Sequence, residues 1–200
     1  MTAHTAAGKL QGLADDALWY EAAHVVGITN ALNVVADAGG RTPGLASVLP
    51  PVDEPTAAPE VASVFAEIRA FYARPDVPLP FRIVAADPGY LADLWKAARH
   101  AFEANRLPRR LKAALAFAVS VTSRSSFGAA FHGEEMRRLG VGRAGLLEVL
   151  GVTQLFSSYT KIADTLQLDP DMGHIAPIDR SPAPGGAAAA PGAPGSGPRP

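Results

Sequence analysis

A chain of 200 residues, 48% of them apolar, is long enough for one domain with a buried core. Its 18 basic and 19 acidic side chains leave a formal charge of −1, which gives no global attraction to nucleic acid or to an acidic membrane surface. It contains no cysteine, which excludes disulfides, thiolate metal sites and cysteine nucleophiles.

Taken in order, the elements predicted are helical. Asp15 to Ala38 has helical periodicity, with Asp15 and Asp16 placed to cap the start and Gly39-Gly40 to stop it. Gly27 leaves open a division of this stretch into two helices. Arg41 to Pro59 holds too many prolines for a helix and reads as a linker or extended arm. Pro59 then opens a helix at its first turn, and Val61, Val64, Phe65, Ile68 and Phe71 fall on one face. Pro75, Pro78 and Pro80 interrupt the chain, and Phe81 to Ala86 forms a short segment before Asp87-Pro88 caps and starts the next helix. That helix carries Leu91, Leu94, Trp95, Ala98 and Phe102 on one stripe. Pro108 begins another, in which Leu111 to Val121 is apolar on nearly every side, as a central buried helix would be. Further helices are expected over about Ser125 to Leu139, ended by Gly140, and over about Ala144 to Leu166. After Pro170 the sequence is low-complexity, rich in Pro, Ala and Gly, and a disordered tail is expected. Few stretches alternate with period two, so the fold class is all-α.

One internal echo stands out. His24-Val25-Val26-Gly27-Ile28-Thr29-Asn30 resembles Glu148-Val149-Leu150-Gly151-Val152-Thr153-Gln154, and an Ala-Asp pair follows each (Ala36-Asp37, Ala163-Asp164). Two readings stay open: chance likeness of amphipathic helices, or a copy of the final helix of a duplicated unit.

The stretch Leu107 to Val141 is the most informative. It runs through a buried helix to Ser125-Ser126-Phe127-Gly128-Ala129-Ala130-Phe131-His132 and on to a Leu-Gly-Val turn at 139–141. This resembles the carboxymuconolactone decarboxylase and alkylhydroperoxidase D-like superfamily, whose redox branch has Cys-x-x-Cys-x-x-x-His at this place. Ser125 and Gly128 stand where the two cysteines would be, His132 stands where the histidine is, and the family's upstream glutamate falls at Ala113. Val77 to Arg82 with Asp87 to Leu91 is similar to the family's segment before the buried helix, and Ser158 to Leu166 to the end of its peroxidase-related branch. The resemblance covers roughly residues 60–170. It implies an alkylhydroperoxidase D-like helical bundle at 59–168, preceded by an N-terminal helical arm and Pro-rich linker (1–58) and followed by the tail (169–200). It also implies a homo-oligomer, a trimer or a multiple of one, for which the Pro-rich arm would suit subunit wrapping.

With both cysteines and the glutamate replaced, peroxide reduction by thiolate attack and thiol resolution is excluded. Two expectations follow. The first is a catalytically degenerate member kept as a binding or scaffold subunit. The second is a cysteine-independent enzyme, with His132 as general acid or base on a small organic acid or lactone. In the second, Phe127, Gly128 and Phe131 would line the substrate pocket, the absent side chain of Gly128 leaving a gap for a water or ligand. Ser125 is a weaker catalytic candidate. It lies two helical turns, about 10.5 Å, from His132, whereas a nucleophile and its base must approach within about 3 Å.

Other polar residues read as structural. Glu134, Glu135, Arg137 and Arg138 look like a solvated face, although Glu135 could orient the His132 ring if it faced inward. Tyr159 and Lys161 suit a subunit contact or a solvent-facing side. His24 and His100 lie on amphipathic helices, and His4 and His174 near the ends. No metal-ligand spacing or phosphate-cradling loop occurs, and no cofactor is expected. No apolar run reaches the roughly 18 residues that cross a bilayer, and no basic patch followed by an apolar stretch opens the chain. A cytoplasmic protein without nucleic-acid or membrane partners is the expectation.

Overall fold

The computed structural model describes residues 16–39 and 49–167. The expected tail, residues 40–48 of the Pro-rich linker, the capping candidate Asp15, His4 and His174 lie outside the described residues. Among the described residues there are seven α-helices and one 3-10 turn (Glu54–Thr56). The helices are α1 (Asp16–Ala38), α2 (Pro59–Tyr72), α3 (Leu79–Val84), α4 (Pro88–Phe102), α5 (Arg109–Thr122), α6 (Ser126–Arg138) and α7 (Arg143–Leu166). None is long and apolar enough to cross a membrane.

Helix starts follow local chemistry. Pro59 and Pro88 sit in the first turns of α2 and α4, where a missing N–H costs nothing. Asp87 caps α4 by accepting from the Tyr90 amide at 3.0 Å. α2 ends on Ala73 in the left-handed region, with φ 50°. The Pro-rich approach to α2 is held down at two points. Val52 exchanges hydrogen bonds with Arg82, and Glu54 accepts from the Val77 amide at 2.8 Å and pairs with Arg69 at 2.6 Å.

The main core lies between α1, α2, α3 and α4. Phe65, Ile68 and Tyr72 of α2 meet Phe81 of α3 and Leu91, Trp95 and Ala98 of α4. Trp95 is its aromatic centre, edge-on to Phe71 and Phe81 with centroids 5.5 and 5.8 Å away. A second cluster (Ala113, Phe117, Met136) joins α5 to α6 and receives Leu146 and Val149 from the start of α7.

One element settles what the sequence left open, and another differs from its expectation. α1 is one continuous helix through Gly27, and it belongs to the same compact unit as the rest, with Val25, Leu32 and Ala36 buried in the bundle. α5 is not buried all round. Lys112, Ala113, Ala116, Phe117 and Ser120 form its inward face, while Leu111 is 43% exposed. The reason is a buried ion pair: the Lys112 ammonium meets the Glu21 carboxylate of α1 and donates to the Glu103 carbonyl at 2.7 Å. Lys112 therefore points inward without leaving its charge bare.

Candidate functional site

Ser125 begins α6 as its cap. Its Oγ accepts from the Gly128 amide at 3.2 Å and donates to Asp37 Oδ1 of α1 at 3.1 Å. It is buried, at 1% exposure, and both hydrogen-bonding capacities of the hydroxyl are engaged.

Gly128 follows one turn later against the same helix. A Cβ there would overlap the Asn33 side-chain oxygen and the Ser120 hydroxyl. Asn33 Nδ2 donates to Ser120 Oγ at 3.1 Å and to Ser123 Oγ at 3.2 Å, and Ser120 in turn donates to the Ala116 carbonyl at 2.8 Å. Thr29, Asn33 and Asp37 thus lie at i, i+4 and i+8 on α1, and the latter two join the α5–α6 seam. The gap expected at Gly128 is filled by this network.

His132 lies one turn beyond Gly128 and is 3% exposed. Its ring stacks on Phe102 (5.6 Å, 29°) and meets Phe131 edge-on (5.1 Å). Burial pushes its pKa down to about 3, so the ring is neutral at pH 7. Phe127 and Phe131 stack on one another (5.7 Å, 10°), Phe131 touches Tyr72 edge-on, and Arg74 lies 5.7 Å over the Phe131 ring.

A cavity of about 10 Å³ opens beside His132, lined also by Tyr72, Phe102, Arg109, Ala113, Glu135 and Leu139. It has room for about one water. Ser125, Gly128, Phe127 and Phe131 do not line it. The site therefore brings His132 to Ala113 and Glu135, with Phe131 against its ring from outside the cavity, and leaves Ser125, Phe127 and Gly128 off the cavity wall.

Two residues around the cavity, Tyr72 and Arg109, escaped the sequence reading. The Tyr72 hydroxyl is buried with no hydrogen-bond partner among the described residues. Burial, then the nearby Glu135 charge, raises its pKa, and Arg109 offsets part of the rise. Arg109 donates to Glu135 at 3.1 Å and to the Phe71 carbonyl at 3.2 Å, with its guanidinium 4.1 Å over the Phe71 ring. Glu135 does face inward, but Arg109 and Arg138 hold its carboxylate, the latter through Nε at 2.8 Å. Glu135 is thus not part of a solvated face, whereas Glu134 is exposed and pairs with Arg74. The available signal was position: Tyr72 extends the buried stripe of α2, and Arg109 stands in the first turn of α5.

Larger surface clefts lie elsewhere. One of about 560 Å³ is lined by Tyr20, Glu21, His24, His100, Asn105 and Arg106. The His24 and His100 rings are 5.6 Å apart there. Burial, then His100 and Lys112, lowers the His24 pKa. Among the described residues no three His, Asp or Glu side chains are grouped to hold a metal ion.

An all-helical bundle with a capping serine, a packed glycine and a buried histidine at these three positions defines a class: the redox-helix frame without its redox groups. No family model matches the chain, and no curated protein matches it. Among solved structures, it is similar to the alkylhydroperoxidase AhpD core from Rhodospirillum rubrum, with a TM-score of 0.60 and 26% identity. The similarity covers 66% of this chain and 99% of that one. Fold and motif positions together place this chain in the alkylhydroperoxidase D-like superfamily.

Proposed function

We propose that this chain is a catalytically degenerate alkylhydroperoxidase D-like protein that serves as a binding or scaffold subunit. One observation carries the reading. The two positions that hold the family's thiol pair are given over to packing α1: Ser125 caps α6 and ties it to Asp37, and Gly128 makes room for Asn33. A serine hydroxyl cannot be oxidised and recycled as a thiol is, and glycine brings no group at all. Near His132, 10 Å³ leaves no space for an organic substrate.

The second reading, a cysteine-independent acid–base enzyme on a small organic acid or lactone, draws support from the unpartnered Tyr72 hydroxyl on the His132 cavity. In it His132 would move the proton and Tyr72 would donate a hydrogen bond to the substrate oxygen.

The test is a thermal-shift and turnover screen of small carboxylates and lactones on wild type, His132→Ala and Tyr72→Phe. Degeneracy predicts no turnover and no compound whose stabilising effect depends on either residue. It also predicts that Tyr72→Phe is at least as stable as wild type, because an unsatisfied buried hydroxyl is removed at nearly constant volume. Turnover of a carboxylate or lactone by wild type that is lost in His132→Ala would overturn the degenerate reading in favour of the enzyme.

A further inference from the structure

α7 is unlike the other helices. It runs for 24 residues without one that is fully buried. Only its beginning is held, by Leu146 and Val149 against the Phe117–Met136 cluster. From Gly151 onward every side chain is exposed except Thr153 and Ala163, which are half-buried.

The sequence of this stretch does not suit water. No charged residue occurs between Glu148 and Lys161. Val152, Leu155, Tyr159, Ile162 and Leu166 recur at alternating steps of three and four, flanked by Phe156 and Ala163. That is the seam of a helix pair, with Val152, Tyr159 and Leu166 at one kind of core position and Leu155 and Ile162 at the other. All five, and Phe156, are between 48% and 64% exposed. Together they leave on the order of 700 Å² uncovered, beyond the ordinary patch of a monomer and close to the roughly 800 Å² that each partner contributes to a standard interface. Aromatic enrichment with charge depletion is the composition of an interface centre.

We propose that α7 pairs along this stripe with α7 of a second copy of the chain. The stripe carries no charge, so it packs against itself about a two-fold axis without opposing like charges and without a partner of complementary charge. The inference is independent of the catalytic reading, since an active bundle would need the same cover.

The test is sedimentation velocity on the full chain at micromolar concentration, with Leu155→Asp and the double variant L155D/I162D beside wild type. Wild type is expected at a multiple of the 20.7 kDa chain mass and the variants at one chain. Their helical content should be unchanged, because both side chains are exposed in the single chain. The absence of cysteine allows a second readout that needs no disruptive change. Leu155→Cys should give a covalent dimer on mild oxidation, and Ser157→Cys, on the far side of the helix, should not. A wild type of one chain mass, or equal cross-linking at the two positions, would overturn the proposal.

Discussion

At Gly128 a single missing methyl decides how two helices meet. Gly128→Ala forces its Cβ into Asn33 and Ser120. We expect a loss of about 2–3 kcal/mol in denaturant unfolding, from overpacking and a broken hydrogen-bond network. Asn33→Ala in the same chain should recover part of that loss, whereas two unrelated sites would add. His132 supplies a second prediction. Its folded pKa, about 3, lies below the ordinary 6.5, so between those values the unfolded chain binds a proton that the folded chain refuses. Its contribution is therefore fully present above pH 6.5 and declines as the pH falls. By pH 5 wild type should lose about 2 kcal/mol more than His132→Phe does between pH 7 and 5, measured by urea unfolding at both pH values. An equal loss in the two proteins would show that His132 takes up a proton within the fold.

At the scale of elements, legibility in sequence depended on range. α2 and α4 were readable because their signals are local: a proline in the first turn and an apolar stripe behind it. Ser125 was readable as the start of α6 but not as its tether, since its partner Asp37 is 88 residues away. The burial of Lys112 was not legible for the same reason. Within α5 it is a charge among apolar residues, and only Glu21 on α1 and the Glu103 carbonyl explain its burial. Burial acts to raise the Glu21 pKa, but Lys112 and the amides of Leu107 and Arg106 outweigh it and hold the carboxylate below its ordinary value. Glu21→Gln leaves the Lys112 charge without its counterion inside the fold. We expect it to cost about 3 kcal/mol in thermal or urea unfolding, and Lys112→Met to rescue much of it. If Glu21→Gln were neutral, the pair would not be what allows Lys112 inside.

For the molecule as a whole, the all-α bundle was legible because its helices announce themselves one at a time. The candidate site was legible only as positions. Sequence located Ser125, Gly128 and His132 on α6, yet what each does depends on α1, α2 and α5, which periodicity cannot assign as neighbours. The Tyr72 hydroxyl, the Arg109–Glu135 pair and the filling of the Gly128 gap by Asn33 are all products of tertiary packing.

The docking of α1 also has a consequence for how the chain is made. Asn33 finds its partner Ser120 87 residues later. At a synthesis rate of roughly 5–20 residues per second, α1 waits on the order of 4–17 s between its own translation and that of its partner. Through that interval Asn33 and Asp37 have no α5–α6 seam to bond with. The nascent chain is most open to chaperone capture in that window, and the seam over Ser125 and Gly128 closes only after α6 has emerged.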